Sequence, residues 1–210
     1  MTDRAIAVLV VIFTVSDGRL RVLLVRRSAE PFKDAWSLPG GLLLPAESLD
    51  QAAVRKLDDE TGLADVFLEQ LYTFADLDER NSLAVAYFAL VDIGQTHLAA
   101  RREWLPDWFP VDDLPPLAFR NDHVIDYALH RLRAKLDYSN VAYSLLPAEF
   151  TLSQLQQTYE AIMARPLDKR NFRKRILSLD IVEPTGRHAG EGRHRPAQLY
   201  TFRERKPVVF

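Results

Sequence analysis

Between Gly41 and Leu63 the chain sets charged side chains at fixed intervals, in the run GLLLPAESLDQAAVRKLDDETGL: Gly41, then Glu47, Arg55, Lys56, Leu57, Asp59, Glu60, Gly62 and Leu63. Ser48 with Gln51 three residues later is the signature of a helix start, each side chain reaching the other's backbone N–H. Gly62 suits the left-handed position that closes a helix. Between these signals lies a helix of about four turns. Leu49, Ala53 and Leu57 recur every four residues and are expected to face a core. Lys56, Asp59 and Glu60 stand at i, i+3 and i+4 and share a different face. Charged groups so gathered, next to a glycine-bearing loop, are the equipment of phosphate chemistry, and Lys56 is a cation on an otherwise acidic face. Glu47 and Arg55 are expected to pair and pin the loop to the helix.

These residues resemble the Nudix box, Gly-x5-Glu-x7-Arg-Glu-U-x-Glu-Glu-x-Gly-U with U aliphatic. Two positions depart from it: Lys56 replaces the Glu after the Arg, and Asp59 replaces the first of the paired glutamates. The resemblance implies a helix face whose carboxylates hold Mg²⁺ against a diphosphate, the metal stabilising charge and activating water. Lysine at position 56 removes a ligand and puts a positive charge where the dication belongs. A unit charge and a dication about 5 Å apart repel by about 7 kcal/mol at an effective dielectric of about 20. Lys56 also reaches Asp59 and Glu60 along the helix, whereas Asp59 keeps a carboxylate on a shorter arm. The diphosphate pocket is therefore expected to persist with hydrolysis lost or feeble. No cofactor is required on this reading and no metal site is expected. In the opposite case Lys56 swings to solvent, and Asp59 and Glu60 hold Mg²⁺.

The pocket residues expected from the resemblance are Arg26 and Arg27 at a strand end, where a guanidinium clamps a diphosphate bidentately. Trp36, Gly40 and Gly41 of the loop WSLPGG join them, with Glu47, Arg55 and Glu60 of the box. Arg80, in the run Asp78-Glu79-Arg80-Asn81, only loosely matches the acidic and arginine loop of ADP-ribose-binding relatives.

Composition sets the frame around this motif. The chain has 210 residues, 48% of them hydrophobic, which allows one large or two small cores. It has no cysteine, so disulfides and thiolate metal sites are excluded, as suits a reducing cytoplasm. The apolar run from Ala5 to Phe13 is too short to span a bilayer, follows Asp3 and Arg4, and precedes no cleavage signal. A cytoplasmic protein without a membrane partner is the expectation. The net charge of −2 conceals an asymmetry: residues 141 to 210 carry 12 Lys/Arg against 7 Asp/Glu, and the first 140 carry 15 against 22. An acidic first part joined to a basic tail part points to a tail that meets a polyanion.

Along the chain, Ala5–Thr14 and Leu20–Val25 flank Asp17-Gly18 and read as a β-hairpin. Val66–Phe74 and Leu83–Asp92 read as strands, the second nearly all apolar and central. The Pro- and Trp-rich segment Trp104–Pro116 reads as an ordered connection packed by its aromatics. Asn121–Leu136 has helical periodicity through Val124, Ala128, Leu129, Leu132 and Leu136. That order resembles a whole Nudix α/β/α sandwich over residues 1–137, with the boundary at Asp137–Asn140 and a second domain over 138–210.

In the second part Thr151 with Gln154 repeats the capping-box signature, starting a helix with Leu152, Leu155, Tyr159 and Ile162 on its apolar side. Arg165-Pro166 ends it, and Asp168 caps a second helix, KRNFRKRILSL, whose Phe172, Ile176 and Leu179 form one stripe. At 100° per residue, Arg170 and Lys174 point away from that stripe, with Asn171 and Arg173 at its edges. Ile181–Glu183 and Gln198–Phe202 read as a hairpin whose loop holds Arg187, His188, Arg193, His194 and Arg195. The five histidines, the others being His97, His123 and His130, show no metal-ligand spacing. Helix, turn, basic helix and basic hairpin resemble a winged helix-turn-helix, in which the second helix enters the DNA major groove and the wing touches backbone or minor groove. The DNA-contact candidates are Lys169, Arg170, Asn171, Arg173 and Lys174 on the helix, with Arg187, Arg193, His194 and Arg195 on the wing, most of them reaching phosphate.

The whole chain resembles the Nudix-related transcriptional regulators of NAD metabolism (NrtR-like). The likeness rests on WSLPGG at 36–41, the box at 41–63, VAYFAL at 85–90, FTLSQLQQTYEAI with LDKRNFRKRIL at 150–177, and GRHRPAQLYTF at 192–202. It implies an α+β chain, a Nudix sandwich followed by a C-terminal winged helix. It also implies a homodimer on a double-stranded, imperfectly palindromic operator, and an ADP-ribose-type effector that releases it from NAD synthesis or salvage genes. The competing reading is a catalytically active ADP-ribose or nucleoside-diphosphate pyrophosphatase whose C-terminal part is accessory.

Overall fold

The computed structural model describes residues 5–62, 66–75, 77, 83–96, 98, 105–189 and 196–210. Strand β1 (Ile6–Ser16) turns through Asp17 and Gly18, both left-handed, into β2 (Arg19–Arg26). Next come β3 (Trp36–Ser37), β4 (Gly40–Leu42), α1 (Leu49–Thr61), β5 (Phe67–Phe74), β6 (Leu83–Leu90), β7 (Leu105–Pro110) and α2 (Asn121–Tyr138). The sheet runs β3-β2-β1-β6-β5, with β4 added to β1 and β7 to β2. Only β1 and β6 among these pairs are parallel, in register from Ile6 opposite Leu83 to Phe13 opposite Leu90.

The apolar continuity of β1 and β6 comes from burial on both faces. Val8, Val10, Ile12, Val85, Tyr87 and Ala89 pack with Ala52, Ala53 and Leu57 of α1. The alternate residues Val11, Phe13, Ala86, Phe88 and Leu90 face Val124, Ala128, Leu132 and Leu136 of α2. Helices on both faces of one sheet make the expected sandwich. The segment read as a connection at Trp104–Pro116 instead supplies β7. Its Leu105–Pro110 pairs antiparallel with β2 from Arg26 to Arg21, and period-two alternation is too weak in LPDWFP to reveal it. The loop WSLPGG likewise contains β3 and part of β4.

Asn121, 1% exposed at the start of α2, accepts the Leu38 backbone N–H at 2.8 Å and so ties the loop before β4 to the helix. Asn121→Ala leaves that buried N–H unpartnered, with a loss of about 1–3 kcal/mol in urea-unfolding free energy; a loss below about 0.5 kcal/mol would remove the tie.

The second part begins with a buried 3-10 turn at Val141–Leu145 and continues with β8 (Phe150–Thr151), α3 (Leu152–Met163), α4 (Lys169–Ser178), β9 (Val182–Ala189) and β10 (Ala197–Phe202). The capping box of α3 and the Asp168 cap of α4 form as the sequence indicates. Strand β10 pairs with both β8 and β9. Tyr159 and Phe172 stack edge to face at 5.2 Å, joining α3 to α4. One continuous buried cluster runs from Phe13, Leu24 and Phe88 through Leu132 and Leu136 to Leu155, Ile162, Phe172 and Phe202. The Asn140 side chain donates to the Glu204 and Lys206 carbonyls and accepts from the Val208 N–H, so the C-terminal segment clasps the linker. No helix among the described residues is long and apolar enough to cross a membrane.

Candidate functional site

Strand β4 lies against β1 because residue 40 is glycine: a Cβ there would meet the Val8 carbonyl oxygen at 2.7 Å and Leu9 Cδ2 at 2.6 Å. The chain then rises to Glu47 and enters α1. Arg55 closes this loop from the helix, its Nε donating to Glu47 Oε1 at 2.7 Å and its Nη2 to Glu47 Oε2 at 2.8 Å. The Leu44 backbone N–H donates to the same carboxylate at 3.1 Å. Arg55's hydrogen bonds, with those of Leu44 and the charge of Lys56, hold the Glu47 carboxyl down at about 2. Because the folded pKa lies below the ordinary value, this carboxylate stabilises the fold above about pH 4.5, and the contribution is lost as pH falls through about 2. Arg55→Gln is expected to return the Glu47 carboxyl toward the ordinary carboxylate range. A carbon-13 NMR titration of that carboxyl checks this; an unmoved midpoint would show that Arg55 does not hold it.

On the helix face above Gly41, the Lys56 side chain folds back over the strand. Its Nζ lies 3.5 Å, and its Cε 3.2 Å, from where a Cβ on Gly41 would stand. The Arg55 Nη1 lies 4.0 Å from Asp59 Oδ2. Glu60 is 5% exposed. Glu47 is thus taken by Arg55, Asp59 is approached by the same guanidinium, and an ammonium covers the glycine. Among the described residues no three His, Cys, Asp or Glu side chains gather where a metal ion would fit. Asp50, in the first turn of α1, accepts a 2.6 Å hydrogen bond from the Tyr87 hydroxyl of β6; burial, reinforced by this bond, pushes that hydroxyl well above its usual range. The pair anchors the start of α1 to the sheet. Spacing within the box gave no sign of it, since its partner is a strand residue 37 positions away.

The arginines at the end of β2 have local partners. Arg26 donates from Nε to the Asp34 carbonyl at 3.3 Å and makes an ion pair with the Asp34 carboxylate at 3.7 Å. Arg27 donates to the Pro31 carbonyl at 2.9 Å and lies over the Phe119 ring at 4.6 Å. Arg27 therefore braces the loop between β2 and β3. Trp36 is half-buried and packs edge to face on Phe109 at 4.7 Å. Arg80 lies outside the described residues, as do Leu63, Arg193, His194 and Arg195.

Helix α4 separates its two sides cleanly. Phe172 and Ile176 are buried, whereas Lys169, Arg170, Asn171, Arg173 and Lys174 are all exposed. The Asp168 carboxylate accepts the Asn171 backbone N–H at 2.8 Å and sets the helix start. Arg173 reaches Ser153 of α3 at 3.4 Å. Arg175, on the flank, pairs with Asp137 of α2 at 3.3 Å. Arg187 and His188, read as loop residues, belong to β9, and Arg187 forms an ion pair with Glu149. The strand is longer than expected because Gly186, at φ +76, lets an otherwise polar run continue the ladder.

Comparison with known proteins accords with this geometry. A family model described as the NUDIX domain matches residues 3–128, and the NrtR DNA-binding winged helix domain matches residues 142–202. The ADPR-responsive transcriptional repressor NtrR of Acinetobacter baylyi is 36% identical over 198 residues, covering 91% of this chain and 79% of that protein. Shewanella oneidensis NrtR, in crystals with a 27-mer DNA, superposes with a TM-score of 0.84 at 36% identity, covering 94% of this chain and 93% of that one. The Nudix domain of the same protein, in crystals with ADP-ribose, is 35% identical with a TM-score of 0.56, covering 63% of this chain and 90% of that one. An ADP-ribose pyrophosphatase of Methanocaldococcus jannaschii is 34% identical over 110 residues, which is 51% of this chain and 65% of that enzyme. With both halves matched by their family models and a relative 36% identical over 91% of this chain, the chain belongs to the NrtR family of Nudix proteins with a C-terminal winged helix.

Proposed function

We propose that this chain is a transcriptional repressor that reads operator DNA through α4 and the β9–β10 wing. Its Nudix half binds ADP-ribose or a closely related nucleotide as a signal. The observation carrying the DNA reading is the outer side of α4, where Arg170, Asn171, Arg173 and Lys174 stand exposed in a row opposite the buried Phe172 and Ile176. Cations spaced along one helix face are what phosphate contacts and base edges in a major groove require. A homodimer presents two such helices to an imperfect palindrome, with half-sites one or more helical turns apart. The regulated genes are those of NAD synthesis or salvage, as the family likeness implies.

Sensing rather than cleavage is supported by how the box side chains are engaged. Mg²⁺ chemistry requires free carboxylate oxygens around an octahedral ion. Here Glu47 is committed to Arg55, a guanidinium stands beside Asp59, and Lys56 covers Gly41. These residues do not fit a magnesium site as they stand. The ligand then persists as a signal, and its effect on DNA equals its differential affinity for the two states of the dimer. A tenfold loss of operator affinity requires about 1.4 kcal/mol of coupling.

The test is fluorescence anisotropy of a labelled operator fragment with and without ADP-ribose. At least a tenfold weakening by ADP-ribose is expected. Sequence-independent DNA binding that ADP-ribose leaves unchanged would overturn the proposal, as would efficient Mg²⁺-dependent hydrolysis without any footprint; the latter would favour the pyrophosphatase reading.

A further inference from the structure

Away from the Nudix box, a cavity of about 320 Å³ lies where the last turn of α2 meets α3 and α4. Its walls are mainly Leu136, Tyr159, Met163, Phe172 and Ile176. The volume falls in the lower part of the range of small-molecule sites, which are predominantly apolar with a few placed polar groups. The cleft opens to solvent on one side, past the exposed Arg165 and Asn171.

Asp137, Arg165, Asp168, Asn171 and Arg175 also line the cleft; Asp137 is paired with Arg175 and Asp168 caps α4 through the Asn171 N–H, which leaves Tyr159 and Arg165 to give it a chemistry. Tyr159 is 6% exposed, and its side chain lines the cleft. A phenol hydroxyl in the wall of a cleft can donate to whatever occupies it. Burial pushes this hydroxyl up to about 12, with Arg175 and Asp137, both cleft residues, acting on it electrostatically. It therefore stays a neutral donor at ordinary pH. Arg165 stands exposed at the rim, where the left-handed Ala164 turns the chain out of α3, and has no ion pair among the described residues. Arg175 is different, being already held by Asp137 at 3.3 Å.

We infer that this cleft is a second ligand site, separate from the Nudix pocket, for a small aromatic monocarboxylate. The ring lies against Phe172, Met163 and Ile176, and the carboxylate accepts from the Tyr159 hydroxyl and the Arg165 guanidinium. The sulfur of Met163 and the faces of Phe172 and Tyr159 suit a flat ring. Asp137, already paired, disfavours a dianion. The cleft backs directly onto α4, and Asn171 lines it while also belonging to the exposed side of that helix. An occupant therefore bears on the seating of α4 against α2. That consequence for operator binding rests on the DNA reading above, whereas ligand binding itself does not.

The experiment uses the full chain and 2-naphthoate as probe, with binding followed by isothermal titration calorimetry in the absence of DNA and nucleotide. Wild-type protein is expected to bind one equivalent with a Kd below about 1 mM, the range open to a ligand of this size. Met163→Trp, which fills the cleft, should weaken binding at least tenfold, and Tyr159→Phe and Arg165→Ala about threefold or more each. Lys56→Glu, in the Nudix half, should leave it unchanged. Thermal unfolding of each variant confirms that it is folded, and Arg165→Ala, at an exposed position, keeps the test open should the buried variants fail to fold. The inference is overturned if wild type does not bind, if Met163→Trp binds as well as wild type, or if uncharged 2-naphthalenemethanol binds as tightly as the acid. Because no DNA is present, failure of the DNA reading leaves this result intact, and failure here leaves the DNA reading intact.

Discussion

Replacing Arg170 and Lys174 together with alanine is expected to weaken operator binding on the order of a hundredfold while leaving the protein folded. Both side chains are exposed on the side of α4 opposite Phe172 and Ile176, so truncation removes no core contact. Each cation that touches phosphate contributes about one unit to the slope of log affinity against log salt concentration. A loss near 1.4 kcal/mol per residue gives the hundredfold figure. The double variant should therefore show a salt slope shallower by about two, alongside an unchanged unfolding midpoint. An unaltered affinity and slope would reassign the basic face to solvent and leave α4 as a packing helix. Phe172→Ala provides the contrast, because its damage should appear in stability, by about 3–5 kcal/mol, through the cavity left beside Tyr159.

The second large effect is expected at Lys56. Lys56→Glu restores a carboxylate and removes the ammonium from above Gly41. Magnesium-dependent hydrolysis of ADP-ribose should rise at least tenfold over wild type, a barrier change of at least about 1.4 kcal/mol. Asp59→Glu added to it should raise the rate further by returning the longer arm. In a Lys56→Gln control the cation goes without a ligand being supplied. It separates repulsion from missing coordination, and the rate should fall between the other two. Failure of Lys56→Glu to gain activity would mean that Arg55 beside Asp59, or the burial of Glu60, disables the site without help from Lys56.

The parts of this molecule readable from sequence are those governed by local rules. Ser48 with Gln51 and Thr151 with Gln154 form capping boxes, and Gly62 closes α1 in the left-handed conformation. The pairing of Glu47 with Arg55 follows from one loop and two helical turns of spacing. Phe172 and Ile176 are buried because helical periodicity requires one apolar stripe in a helix otherwise so charged. Strand β7 was hidden because LPDWFP has a proline at each of two positions and too little alternation to declare itself. It is a strand only because β2 supplies its partners. The tie between Tyr87 and Asp50 and the clasp of Asn140 on Glu204, Lys206 and Val208 join residues far apart in sequence. No periodicity encodes such contacts.

The joint between the two halves was equally illegible. Beyond the boundary expected at Asp137–Asn140, Val141 to Leu146 are buried and one apolar cluster passes through them. The Arg133 guanidinium donates to the Ile162 carbonyl at 2.9 Å, and Arg205 donates to the Tyr143 and Leu146 carbonyls at 2.9 Å each. On the sensing function proposed above, a nucleotide signal is expected to reach α4 by repacking helices against the sheet, since little free linker is left to swing. Unfolding in urea should accordingly show one transition by both tryptophan fluorescence and far-ultraviolet circular dichroism. Two well-separated transitions would mean that the halves are stabilised independently.

On the proposed function, a cation built into a phosphate-handling helix turns cleavage into sensing. Calorimetric titration of wild-type protein with ADP-ribose, once in EDTA and once in millimolar Mg²⁺, followed by chromatography of the cell contents, tests it most directly. The same affinity in both buffers is expected, with ADP-ribose recovered intact. Binding that requires Mg²⁺, or AMP and ribose phosphate accumulating in the cell, would contradict it.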